Sequence, residues 1–301
     1  MAAERSGFKV ALIAGPTASG KSPLAMALAE RRGGIVINAD AMQVYRELRV
    51  LTARPTEAEE ARVPHALYGM VPVMESHSVA RWRVGALQAI EEARAAGRLP
   101  ILVGGTGFYL KALVEGLVEI PLVPEDMRAE VRRRAAALSP RALHAEIARR
   151  DPAAAVRLAP GDRQRLTRAW EVHEATGQPL SEWQRATAVG APYRFESVLV
   201  LPPRATLHAA ADARFARMLM DGALEEAGAL KGVDPTLPAM KAVGLRELIA
   251  HLDGRMTRVR AIEAAQFATH RYIKRQTTWF RHQMRFDHVF ESAGEAAAAL
   301  E

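Results

Sequence analysis

The sequence predicts an α/β protein in which a parallel sheet flanked by helices is interrupted by an all-helical insertion. Three observations carry that reading. Short apolar runs of strand length alternate with longer stretches of helical period. The first such run feeds a glycine-rich loop that opens a helix. A central block rich in Ala, Arg and Glu then shows no strand pattern at all.

Residues 8–14 (FKVALIA) form the first strand-like run, followed by GPTASGKS and the helical stretch PLAMALAERR. Pro23 is compatible with that helix, because a first-turn proline lacks only an amide hydrogen that has no intrahelical partner. Gly33-Gly34 closes it, and Ile35-Val36-Ile37 reads as a second buried strand ending in Asn38-Ala39-Asp40. Val79 to Ala96 carries a helical pattern stopped by Gly97. A strand at Leu99 to Val103 then runs into Gly104-Gly105-Thr106-Gly107 and a further helix from Phe108. The sheet resumes at Ser197 to Leu201, closed by Pro202-Pro203. The expected division is a discontinuous core, 1–122 and 195–301, around a helical insertion at 123–194. Helix punctuation inside the insertion falls at Ser139-Pro140, Asp151-Pro152, Pro160-Gly161 and Gly177-Gln178-Pro179. From Arg204 onward the chain reads as helical, with breaks at Gly232 to Pro238 and near Gly254, and the Ala-rich tail after Gly294 reads as a frayed end.

With 301 residues, 49% of them hydrophobic and 25% charged, the chain has ample material for a large core, which excludes a disordered chain. It has no Cys, which excludes disulfide scaffolds, thiolate metal sites and thiol catalysis. No apolar run is long enough to cross a bilayer. A phosphate-binding motif already at Gly15 argues against a cleaved leader, so a soluble, cytoplasmic protein with no membrane partner is expected, and a monomer is expected apart from that motif. The net charge of +7 permits a polyanionic partner. It does not establish one, because Lys occurs only at positions 9, 21, 111, 231, 241 and 274, and the surplus Arg accompanies a general bias toward Ala and Arg.

Gly15, Pro16, Thr17, Ala18, Ser19, Gly20, Lys21 and Ser22 match G-x-x-x-x-G-K-[ST] in full, in the strand-to-helix context that the motif needs. Glycines let the backbone wrap phosphate oxygens, successive amides and the helix N-terminus present positive charge, Lys21 adds a full charge, and the Ser22 hydroxyl suits Mg²⁺. A di- or triphosphate is therefore the expected ligand. Phosphoryl transfer usually needs a second acidic metal ligand, yet the strand at 99–103 ends in glycines. The acid at a strand end nearby is Asp40. On position alone it serves equally as an N-cap for a helix beginning at Ala41 or as a group facing the ligand.

Taken together, GPTASGKS (15–22), NADAMQVYR (38–46), LVGGTGFYLKAL (102–113), DRQRLTRAWEVHEATGQPLS (162–181), KAVGLRE (241–247) and KRQTTWFR (274–281) closely resemble the tRNA dimethylallyltransferases, also called tRNA isopentenyltransferases. The resemblance runs in order over roughly residues 8 to 285. It implies a P-loop kinase-like core, with the insertion gripping the anticodon arm of tRNA. The implied reaction moves a dimethylallyl group from dimethylallyl diphosphate to the exocyclic amine of the adenosine just 3′ of the anticodon, in tRNAs reading codons that begin with U. The loop would then hold a departing diphosphate, with Mg²⁺ as cofactor.

The same resemblance assigns residues. Asp40 becomes the catalytic base, and Arg214 joins the diphosphate ligands. Asp40, Ala41, Met42, Gln43 and Thr106 meet the tRNA at or near the target base, and Arg128, Gln164, Arg165, Leu166, Thr167 and Arg168 contact it from the insertion. Lys241, Ala242, Val243, Gly244, Leu245 and Arg246 match further tRNA contacts, as do Lys274, Arg275, Gln276, Thr277, Thr278, Trp279, Phe280 and Arg281. Read without the family, Thr106 is a helix cap after a glycine turn, Arg214 a solvated helix residue, and the aromatics at 279 and 280 core. Three positions depart from the family pattern: Ala41 stands for a Ser, Leu245 for a Tyr, and Leu51 for a Gly.

Rival readings are a P-loop small-molecule kinase, an adenylate isopentenyltransferase acting on free nucleotide, and a non-catalytic RNA-binding module. The kinase lacks a second metal-binding acid after a core strand. The free-nucleotide enzyme has no use for a basic insertion. The binding module predicts losses at Lys21, Ser22 or Asp40, and all three are intact.

Overall fold

The computed structural model describes residues 7–300; residues 1–6 and 301 of the expected core lie outside the described residues. The strands are β1 (Lys9–Ala14), β2 (Gly34–Asn38), β3 (His65–Ala66), β4 (Leu99–Gly104), β5 (Arg194–Val200) and β6 (His288–Phe290). They form one sheet, parallel throughout, in the order β3-β2-β4-β1-β5-β6. Before the insertion come α1 (Lys21–Arg32), α2 (Glu57–Arg62), α3 (Val79–Ala95) and α4 (Gly107–Val114). The helices α5 (Glu125–Ala137), α6 (Pro140–Arg150), α7 (Pro152–Arg157), α8 (Arg163–Thr176) and α9 (Leu180–Trp183) follow. The chain finishes with α10 (Arg204–Met220), α11 (Ala223–Ala229), α12 (Leu245–Leu252), α13 (Arg258–Gln283) and α14 (Ala293–Ala299).

The four longer strands fall where the apolar runs placed them, and they are apolar on both faces because both are covered. Leu12, Ile37 and Leu102 point to one side and meet Trp82 and Ile90 of α3 with Leu110 and Leu113 of α4. Ile13, Val36, Ile101 and Val103 point to the other and meet Leu24, Ala25 and Leu28 of α1. A second apolar cluster joins the segment after β2 (Val44, Tyr45, Leu48, Leu51) to Phe215, Leu245, Leu248 and Ala265 of the C-terminal helices. That segment is not a helix beginning at Ala41. It is a run of turns, and the Glu226 carboxylate of α11 holds it by accepting from the amides of Arg49, Val50 and Leu51 at 2.7, 2.7 and 2.9 Å.

The chain divides into two compact units, the described parts of Met1–Val114 with Ala191–Glu301, and Glu115–Gly190. The second unit is all-helical among the described residues and has its own core of Val131, Leu143, Ile147, Leu166, Trp170 and Leu180. Its punctuation works as caps: Ser139 accepts from Ala142 N, Asp151 from Ala154 N and Asp162 from Arg165 N.

The strands β3 and β6 were not anticipated, being two and three residues long with no usable period. The tail is also corrected. It is helix α14, capped by Ser292, and its Ala296 is buried against α1 and β5 in the core that covers the sheet. Ala296→Arg should therefore lower the unfolding free energy by about 1–3 kcal/mol through overpacking, read as a shifted urea midpoint. An unchanged midpoint would contradict the docking of this helix.

Candidate active site

In an open parallel sheet the ligand crevice lies at the carboxyl ends of the strands, where the strand order reverses. Here β1 is flanked by β4 on one side and β5 on the other. The register pairs Ala14 with Gly104 and Asn38 with Val103. The loop after β1, the acid after β2 and the glycines after β4 therefore emerge side by side.

The loop after β1 folds as a phosphate cradle. Ala18 and Gly20 take left-handed φ values of 64° and 85°, which turns successive amides to a common side. The Lys21 amine donates to Pro16 O at 3.1 Å across the loop. Burial lowers the Lys21 pKa to about 8, against the raising pull of Asp40, while Arg214 depresses it further. Arg214, reaching over from α10, donates to the Thr17 hydroxyl, and burial outweighs Asp40 in lowering its pKa. It is not the solvated helix residue that position alone suggested. Ser19 Oγ and Arg214 Nε are buried without a protein partner among the described residues. A cradle with two cations and two orphaned polar atoms is suited to an anion that brings its own oxygens.

Asp40 is fixed by its neighbours. Asn38 Oδ1 accepts from Asp40 N at 2.8 Å, and Asn38 Nδ2 donates to Asp40 O at 3.0 Å. Asp40 Oδ1 accepts from Met42 N at 2.8 Å, closing an Asx turn rather than capping a helix. No hydrogen bond reaches Oδ2 among the described residues, leaving that oxygen available to take a proton. Thr106 Oγ1 accepts from Ala41 N at 2.9 Å, and Thr106 N donates to Ala39 O at 3.3 Å. The threonine thus ties the β4 loop to the Asp40 turn.

The glycines after β4 allow this approach. A Cβ on Gly104 would collide with Ala39 O, and one on Gly105 would collide with the Gln276 carboxamide and lie 3.4 Å from Asp40 Oδ2. A Cβ on Gly107 would strike the Trp279 ring. Sequence reasoning missed Asn38, Trp82, whose indole donates to Asn38 O at 2.7 Å, and Tyr272, which bonds to the Thr106 side chain. Burial drives the Tyr272 phenol well above its usual pKa, with Asp40 adding to the rise, so it stays protonated.

The residues expected to meet tRNA divide by exposure. Gln164, Arg165, Lys241, Arg246, Lys274, Arg275, Thr278 and Arg281 are exposed, and Thr106, Arg128, Thr167, Arg168, Val243 and Thr277 are half-buried. Several of the cations are already engaged: Arg128 with Glu125 at 2.8 Å, Arg165 with Asp162 at 3.3 Å and Arg168 with Glu171 at 3.3 Å. Arg246 donates to Met240 O and Pro235 O, both at 3.2 Å. Ala41, Met42 and Gln43 are half-buried, and the Gln43 amide is spent on Thr52 O and Ala53 O. Leu166, Ala242, Leu245, Gln276 and Phe280, also expected to meet tRNA, are buried in this structure. Leu166 sits in the core of the insertion, Ala242 and Leu245 in the C-terminal helical cluster, and Phe280 beneath the sheet. Trp279 is half-buried on Gly107. Gly244 is itself buried, at φ 90°, and initiates α12. Leu51, where the family pattern has Gly, has no left-handed φ and fills the same cluster as Leu245.

Among the described residues no three His, Cys, Asp or Glu converge to enclose a metal. The exposed Ser22 hydroxyl, in the first turn of α1, offers a single oxygen beside the cradle. That donor set fits Mg²⁺, which keeps most of its waters and takes phosphate oxygens in preference to an all-protein cage.

The IPP transferase family model matches residues 43–283, and a second model, isopentenyl transferase, matches residues 8–65. The chain is 57% identical over 286 residues to a tRNA dimethylallyltransferase of Rhodospirillum centenum, covering 92% of this chain and 91% of the relative. It is 52% identical to that of Parvibaculum lavamentivorans, covering 92% and 88%. Among solved structures it is similar to the full-length tRNA isopentenylpyrophosphate transferase of Bacillus halodurans. That match has a TM-score of 0.69 at 32% identity and covers 97% of this chain and 95% of the other. A eukaryotic dimethylallyltransferase acting on tRNA gives a TM-score of 0.77 at 28% identity, covering 91% and 70%.

Inorganic diphosphate should bind more weakly as the pH rises through about 8, where Lys21 loses its charge. Lys21→Met should weaken binding at neutral pH and remove that component. Titrations of both proteins over one pH range check this, since the ionisation of diphosphate itself cancels in the comparison. Parallel wild-type and variant curves would refute it.

Proposed function

The chain belongs to the IPP transferase family of tRNA dimethylallyltransferases, and from that premise we propose how its own residues carry out the transfer. It moves the dimethylallyl group of dimethylallyl diphosphate to the exocyclic amine of an adenosine in tRNA, releasing diphosphate. We assign the nucleoside 3′-adjacent to the anticodon, in tRNAs reading codons that begin with U, as its target. The single observation that carries the residue assignment is the free Oδ2 of Asp40, facing a cradle that already holds two cations, Lys21 and Arg214.

The amine lone pair forms a bond to C1 of the allyl group as the C1–O bond breaks, with its electron pair leaving on the diphosphate. Positive charge at C1 spreads over the alkene, so the barrier falls with every donor that stabilises the departing oxyanion. Lys21, Arg214 and the loop amides supply those donors, held in place before the reaction begins. Ser22 would hold Mg²⁺, which neutralises charge on the diphosphate when bound. The adenine amine is a poor nucleophile because its lone pair is drawn into the ring, and Asp40 Oδ2 takes its proton as the new bond forms. To reach this crevice the base must leave its stack.

Exposed Arg165, Lys274, Arg275 and Arg281 suit phosphate contacts, which position a nucleic acid without reading its sequence. No helix among the described residues is long and apolar enough to cross a membrane, and a tRNA substrate argues for work in the cytoplasm.

The decisive experiment incubates the protein with dimethylallyl diphosphate, Mg²⁺ and unmodified tRNA, and seeks prenylated adenosine by mass spectrometry. Equal yield on free AMP would move the reading to the free-nucleotide enzyme. Asp40→Asn should retain tRNA binding and lose about 10²–10⁴-fold in kcat, the usual contribution of a general base. Full turnover in that variant would remove Asp40 from the role.

A further inference from the structure

We propose that Gln276 is a positioning residue for the transfer step, setting the spacing between the loop that grips the leaving group and the loop beside the proton acceptor. The proposal rests on the prenyl-transfer reading and deepens it at the same site.

Gln276 lies on α13 between exposed Lys274, Arg275 and Thr278, yet it is only 6% exposed. Its Oε1 accepts from Thr17 N at 2.9 Å, and its Nε2 donates to Gly105 O at 2.9 Å. Those two backbone groups belong to different loops, one after β1 and one after β4. One loop holds the leaving group. The other carries Thr106, whose hydroxyl accepts from Ala41 N at 2.9 Å in the Asp40 turn, and a Cβ added at its Gly105 would lie 3.4 Å from Asp40 Oδ2. A single carboxamide is therefore the strut between the electrophile's anchor and the nucleophile's base.

The chemistry of the strut is restrictive. It must accept at one end and donate at the other, because a backbone N–H faces one end and a carbonyl the other. A carboxylate of the same shape keeps the first bond, repels the Gly105 carbonyl and adds a negative charge beside the diphosphate. An apolar side chain leaves both backbone groups without partners in a buried place. Thr17 is held from a second side, since its hydroxyl accepts from Arg214, and Ala18 packs on Leu207, Ala211 and Ile273 where α10 meets α13. With the tip of the cradle fixed by that helix pair, what Gln276 adds is its distance from the β4 loop. Reacting groups misplaced by about 1 Å lose on the order of a hundredfold in rate.

Two variants and two readouts test this. Gln276→Leu should lower kcat by about 10- to 100-fold while the KM values for dimethylallyl diphosphate and tRNA stay close to wild type. Gln276→Glu should be impaired at neutral pH, and its kcat relative to wild type should climb as the pH falls, because the protonated carboxyl regains a donor toward Gly105. In the free protein, hydrogen exchange of the peptide spanning 15–20 should quicken in Gln276→Leu, since Thr17 N–H loses its acceptor. A Leu variant that loses only KM, a Glu variant whose ratio to wild type is flat with pH, or unchanged exchange at 15–20 would each overturn the proposal. A wild-type protein that makes no prenylated adenosine would count against the function instead, and the exchange measurement would still decide the role of Gln276.

Discussion

The site depends on one buried carboxamide, that of Asn38 at the end of β2. The residue is 0% exposed, and both ends of its side chain close on the next turn: Oδ1 takes the Asp40 amide, and Nδ2 donates to Asp40 O and to Leu67 O, each at 3.0 Å. Its own carbonyl takes the Trp82 indole, which stacks on Tyr109 with ring centroids 4.6 Å apart. A strand end so constrained cannot continue into a helix. It aims a short acid into the crevice with one oxygen occupied and one free. An acid on a looser loop would need ordering during the reaction, whereas this one is placed before any substrate arrives.

That placement explains how a phosphate cradle shared with kinases serves a different bond. The cradle itself supplies charge and amides and does not choose between breaking P–O and breaking C–O. The choice lies in what faces it. A second acid at the end of β4 would hold metal against a γ-phosphate. Here β4 ends in glycines instead, so the next loop closes onto Ala39, and Asp40, with Oδ1 engaged by Met42 N and no bond at Oδ2 among the described residues, is the acid facing the cradle in the proposed reading. Loss of diphosphate from an allylic carbon asks only that the leaving anion be stabilised, and two cations with orphaned donors do that.

Much of this was legible in the sequence because it is local. The cradle, the four longer strands and the caps of the insertion are each written within about ten residues, and propensity and period read at that scale. Asp40 was half legible. Its place at a strand end was evident, but cap and crevice look alike until the Asn38 bonds and the turns at 41–50 are seen. The inward bonds of Gln276 were not legible because its partner Thr17 is 259 positions away. The burial of Leu166 was legible: it lies between Arg165 and Arg168, which share a face at i and i+3, so helical period points it toward the insertion's core. The Ala-rich tail shows the opposite limit. Small residues carry little signal by themselves, and Ala296 is informative only once α1 and the sheet are there to cover it.

The glycine run after β4 invites reading as a second phosphate loop, and the structure assigns it differently. Each glycine answers a separate neighbour: Gly104 the carbonyl of Ala39, Gly105 the carboxamide of Gln276, Gly107 the ring of Trp279. Two of those three neighbours belong to α13, the helix whose outer face shows Lys274, Arg275 and Arg281 to solvent. The same helix thus offers cations suited to a polyanion on one side and packs against the reaction centre on the other. Glycine is required wherever its inner side chains and the Asp40 turn must press on backbone with nothing between. On the proposed reading, a nucleic acid along the outer face would meet the same 26-residue helix whose inner face packs on these loops. The proposed recognition face and the proposed reaction centre would then be joined by the packing of one helix.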